Sequence, residues 1–145
     1  MTTPAPALSF PRPDWLVDPV VVLRTCNADM SSPSSKANGF VWTGEGSIVE
    51  APDYTPDPAC GHGLHGLLEG EGDSSYLNWD ATAKWLVVEV PRAELLPFSN
   101  KVKFRRCLVI HVGDQKSATD LIVERAPRAS VIGATATAGY AGTAT

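Results

Sequence analysis

Lys84-Trp85-Leu86-Val87-Val88-Glu89-Val90 is the stretch on which the reading of this chain turns. Leu86, Val88 and Val90 alternate onto one face, and the β-branched residues favour an extended backbone, so the run predicts a strand at the centre of a sheet. Glu89 stands inside it, a carboxylate among apolar neighbours. Upstream, Pro19-Val20-Val21-Val22-Leu23-Arg24 is another β-branched run, bounded by Asp18-Pro19 and by polar residues from Asn27 onward. It reads as a buried strand that opens the domain, with Arg24 at its exit. Downstream, 101–104 and 107–112 continue the series, as two strands or as one bent strand interrupted at Arg105-Arg106.

Between these runs the signals are turns. Gly39-Phe40-Val41-Trp42 and Ser47-Ile48-Val49-Glu50 flank Gly44-Glu45-Gly46, which predicts a hairpin. From 51 to 72, prolines and glycines exclude a long helix; His65-Gly66-Leu67-Leu68 fits a single turn within a long irregular segment. Asp114 can accept hydrogen bonds from the free amides of a following first turn, and Ala118, Leu121, Ile122 and Arg125 keep helical spacing, so a short amphipathic helix starts at Gln115. The sum is a single α+β domain of mostly short antiparallel strands with one or two short helices. It occupies 14–125, between a Pro-rich arm over 1–13 and an Ala/Thr/Gly-rich tail over 126–145. In that tail Thr-Ala-Thr recurs at 135–137 and 143–145, like the start of a repeat array.

With 145 residues, 43% of them hydrophobic and 19% charged, the chain has the size and composition of one soluble core. A net charge of −4 argues against nonspecific nucleic-acid binding, which needs a basic surface. Lys101, Lys103 and Arg105 alternate and read as the wet face of a strand. No signal sequence or apolar membrane span is recognisable, and three cysteines at 26, 60 and 107 do not form the dense framework of a small secreted protein.

Cys60-Gly61-His62-Gly63-Leu64-His65-Gly66 concentrates a thiol and two of the three histidines where the backbone bends most easily. Cys60, His62 and His65 could hold zinc, with Cys107 and His111, four apart on one strand face, offering further donors. A second ligand arm near Cys60 is missing. Cys60 as a nucleophile activated by a neighbouring imidazole lacks a strand leading into a nucleophile-bearing helix. Arg24, Trp42, Tyr54, the Gly-His-Gly loop and Glu89 follow the order of small ADP-ribosyl-transferring folds. The Glu-x-Glu ending of the arginine-specific kind is absent, since position 87 is Val. Asp53, Asp57, Glu69, Glu71 and Asp73 read as solvated loop charges, and Trp15, Trp42, Trp79 and Trp85 as core or interface area.

Arg24-Thr25-Cys26-Asn27-Ala28-Asp29-Met30, Gly39-Phe40-Val41-Trp42, Ala51-Pro52-Asp53, the Cys60–Gly66 run and Lys101-Val102-Lys103-Phe104 together resemble an uncharacterised family of actinobacteria and their tailed phages. Its members have a Cys-Gly-x-Gly-Leu-His-Gly core, often followed by Ala/Thr/Gly repeats. The resemblance implies a phage or actinobacterial setting, in the host cytoplasm or a virion. The expectation is then a non-catalytic accessory or structural protein acting through other protein subunits or self-association, without cofactor, membrane or nucleic acid. The alternatives are a nucleotide-binding or ADP-ribosyltransferase-like enzyme using Arg24, His62, His65 and Glu89, and a zinc-stabilised binding module.

Overall fold

A computed structural model of the chain describes residues 10–32, 40–58 and 62–134. The start of the Pro-rich arm, residues 33–39, Cys60, Gly61 and the tail from Thr135 lie outside the described residues. Among the described residues seven strands, β1 (Pro19–Cys26), β2 (Ile48–Glu50), β3 (Leu64–Leu68), β4 (Lys84–Pro91), β5 (Leu96–Phe98), β6 (Lys101–Phe104) and β7 (Arg106–Gly113), precede a helix, α1 (Gln115–Arg125). All pairings are antiparallel, and the sheet runs β2-β7-β4-β1-β3-β6-β5.

β4 lies inside this sheet, paired with β1 from Pro91 opposite Pro19 to Lys84 opposite Cys26. Its burial is continuous from Trp85 to Pro91 because both faces of the sheet are covered. On one face α1, residues around Leu16 and the segment after the helix pack Ala118, Ile122 and Val131 onto Val21, Leu23, Leu67, Trp85, Val87 and Ile110. The opposite face gathers Val22, Cys26, Trp42, Leu86, Val88, Phe104, Cys107 and Val109. Arg105 alone separates β6 from β7, although β3, β1 and β4 lie between them in the sheet. Flat, those strands would stand about 19 Å apart, whereas a single intervening residue reaches about 7 Å. The sheet therefore curls, and its second face becomes an inner core.

The α+β expectation is corrected to a mostly-β architecture. Among the described residues α1 is the one α-helix, joined only by short 3-10 turns at Ser74–Tyr76 and Arg92–Glu94. The helix starts as its cap predicts: Ser117 N donates to Asp114 Oδ1 at 2.8 Å and Asp114 N donates to Ser117 Oγ at 3.1 Å. The hairpin expected across Gly44-Glu45-Gly46 does not form. Val41 bridges to Ser31, while β2 pairs with β7, an arrangement that sends both Trp42 and Val49 into the inner core.

The single turn expected at His65-Gly66-Leu67-Leu68 is strand β3. Gly66 is there to be thin: a Cβ on it would lie 2.4 Å from Val22 Cγ1 and 2.9 Å from the Leu23 carbonyl oxygen. Backbone on one side cannot withdraw. Gly66→Ala is therefore expected to cost about 1–3 kcal/mol, read as a lower urea midpoint at unchanged slope.

Candidate functional site

Of the residues that the sequence singled out, His62, His65 and Arg24 fall around the loop 51–58 and strand β3. Lys103 is the centre of this region. It projects from β6 beside His65, its cross-strand partner, and is wholly buried under the loop. Its ammonium donates to Asp57 Oδ1 at 3.0 Å and to the Asp57 carbonyl at 3.1 Å, and lies 5.7 Å from the Tyr54 ring centroid. A Cβ on Gly63 would approach Lys103 Cε to 2.8 Å, so the glycine makes room for this stem. The hydrogen bond from Lys103, then that from Thr55, holds the Asp57 carboxyl below its usual range. Expecting Lys103 on a wet face is thus wrong. No local pattern marks it, because the loop that covers it is far away in sequence.

His62 is exposed, with Nδ1 3.2 Å from Asp53 Oδ2, and its carbonyl accepts from Thr55 N at 2.9 Å. The His65 ring meets the edge of Phe98, with centroids 6.0 Å apart. Arg24 reaches the same stretch by its backbone: NH1 donates to the His65 carbonyl at 3.0 Å, and the guanidinium stacks 4.2 Å from the Trp42 centroid. Glu89 is elsewhere. Strand alternation places Arg24, opposite Leu86, on the inner face, and Glu89, opposite Val21, on the helix face. The sheet stands between them. Glu89 is wholly buried between Arg12 and Arg125.

Metal candidates are separated in the same way. Cys107 faces the inner core and pairs with Val49. A bulge between Val87 and Val88 of β4 inserts Ile110 opposite that strand and resets the alternation, so His111 comes opposite Val87 on the helix face. There its Nε2 lies 2.8 Å from Ser117 Oγ, and Nδ1 is 3.7 Å from Glu45 Oε2. Spacing of four thus does not put Cys107 and His111 on one face. Among the described residues no three His, Cys, Asp or Glu side chains converge as metal ligands would.

Burial pushes the thiols of both Cys107 and Cys26 up from their ordinary value of 9.0. A raised folded-state pKa means that the unfolded chain ionises first. The stability contribution is whole below pH about 9 and falls as pH rises beyond it. Urea titrations are expected to show that fall, with a shallower alkaline slope in Cys107→Ala.

A cleft of about 400 Å³ opens at the other end of β3, lined by Glu69, Glu71, Arg125 and Arg128 among others. None of Arg24, His62, His65 and Glu89 lines it. The polar groups around Lys103 and Arg24 instead tie segments distant in sequence together, as between Lys103 and Asp57 or Arg24 and His65.

No family model matches the chain, and no solved structure matches it. Among known proteins it is similar to an ice nucleation protein of Pseudomonas fluorescens, 40% identical over 105 residues, which is 71% of this chain and 8% of that protein. One from Pseudomonas syringae is 37% identical over 111 residues, 75% of this chain and 9% of the relative. One from Pantoea ananas is 36% identical over 108 residues, 73% of this chain and 10% of the relative.

These bacterial relatives overturn the resemblance to an actinobacterial and phage family. The phage-type accessory protein and the ADP-ribosyltransferase-like enzyme are corrected with it, as is the placement in host cytoplasm or a virion. The Ala/Thr/Gly-rich tail is a feature of composition, which unrelated chains share. Over most of its length, this chain is similar to a stretch making up about a tenth or less of an ice nucleation protein.

Proposed function

We propose that this domain is an association module of an ice-nucleating protein: it gathers copies of the chain and leaves the ordering of water to other parts. The similarity to ice nucleation proteins over 71–75% of the chain gives the setting. The observation that carries the division of labour is the sheet itself. An ice embryo survives only above a critical size, so a nucleating surface must be broad, regular and open to water. Here both faces of the sheet are buried, one under α1 and one within the curl. What remains outside is broken by ion pairs such as Asp18 with Arg92 and Lys116 with Asp120.

Droplet freezing and light scattering on the 145-residue chain test this reading. Droplets holding dispersed monomer should freeze with the buffer, and scattering should rise with concentration as copies associate. A dispersed monomer that raises the freezing temperature would overturn the proposal, as would a chain that stays monomeric at every concentration.

A further inference from the structure

We infer that the free edge of β2 is where two copies of this chain meet, pairing strand to strand about a two-fold axis. The inference rests on the association reading above and names its surface. Among the described residues the sheet ends at β2 and β5. β5 is guarded: Pro97 at its centre has no amide hydrogen, and the Lys101 ammonium lies over the neighbouring Phe98 ring at 5.2 Å. Proline and lysine are among the devices by which natural sheets refuse further strands. β2 carries neither.

The direction of its backbone groups follows from the bonds on its inner side. Val109 N donates to the Ser47 carbonyl and Ala51 N to the Arg105 carbonyl, both at 2.9 Å. Antiparallel alternation then turns Val49 inward and the N–H and C=O groups of Ile48 and Glu50 away from β7. The Ile48 side chain is 50% exposed beside them.

An antiparallel edge is complementary to itself, which makes a second copy the natural occupant. With the axis at Val49, Ile48 of each copy lies opposite Glu50 of the other, and about four backbone hydrogen bonds close between them. Charge permits the approach. Each Glu50 arrives with Arg105 at 3.7 Å, so the two acids, set apart at opposite ends of the contact, each bring a counter-ion. A contact of this length buries far less than the roughly 1,200 Å² of a stable dimer. It is weak alone and becomes effective where chains are already gathered, when effective concentration replaces affinity.

NMR dilution series on the full chain, with sedimentation velocity, test the inference. Amide signals of Ile48 and Glu50 should move with concentration. Ile48→Lys should weaken association by about tenfold or more, and so should Ile48→Pro, which removes an outward N–H and leaves the β7 ladder intact. Unchanged association in both variants, with shifts confined to other residues, overturns the edge contact while leaving the association reading in place. A chain that never associates overturns both.

Discussion

Replacing Glu89 by alanine is expected to cost about 3–5 kcal/mol, the range for breaking a buried ion pair from one side. The carboxylate is wholly buried on the helix face of β4. One oxygen meets Arg12 NH1 from the segment before β1, and the other lies 2.8 Å from Arg125 NH2 at the end of α1. Arg125 is largely buried and its NH1 already has no hydrogen-bond partner, whereas Arg12 reaches in from the exposed surface. Alanine would strand the Arg125 cation and leave Arg12 without its counter-ion. Against a typical total of about 5–15 kcal/mol, such a loss leaves the fold marginal. Urea unfolding measures it. Replacing all three together, as Arg12→Met, Glu89→Leu and Arg125→Leu, should recover most of the loss, because no uncompensated charge then remains. A loss below about 1 kcal/mol for Glu89→Ala would show that water reaches the carboxylate and that the arginines are not its counter-ions.

This placement shows what the sequence could and could not disclose. β1, β4 and α1 are legible because each is specified locally: β-branched runs between turn residues, and Asp114 followed by helical spacing. β3 is not, because Gly66 and the glycines just before the strand look like bending points when read along the chain. Only the close approach of β1, which leaves no room for a Cβ at Gly66, explains why a strand carries a glycine there. Lys103 fails for the mirror reason. Alternation places it correctly on a strand face, but what covers that face is a loop ending near Asp57.

The candidate site was assembled from residue types, and residue types carry no information on which side of a sheet they project. Arg24 and Glu89 stand on neighbouring strands but three residues out of register, and a strand's period of two puts them on opposite faces. His111 is harder still. Counting by twos from Cys107 gives the wrong face, because the bulge at Ile110 adds a residue that no composition rule announces. In the glycine-rich core the histidines are the conspicuous residue type, whereas Gly63 and Gly66 shape the fold by admitting Lys103 and β1.

Trp42→Ala is the other substitution with a large expected effect, about 3–5 kcal/mol for emptying a buried tryptophan site. Trp42 is 2% exposed and sits in the inner core, its backbone N–H donating to the Met30 carbonyl at 2.8 Å. Its indole N–H donates to Ser32 Oγ at 3.1 Å, and its ring meets the edge of Phe40 and carries the Arg24 guanidinium. Truncation removes the ring that shields Arg24 and leaves a void beside a cation that also bonds the carbonyls of Thr25 and His65. Trp42→Phe should keep the stacking and lose only the N–H bond, so it should cost less than half as much. Hydrogen exchange separates packing from a purely global effect. β2 is a three-residue strand paired on one side only and its Val49 packs in the same cluster, so in Trp42→Ala the amides bonded across β2 and β7 should exchange faster than those across the eight-residue pairing of β1 and β4. Equal acceleration in both ladders would mean that Trp42 supports the whole sheet evenly. Faster exchange at β2 alone would make this buried indole the support of the edge where two copies meet.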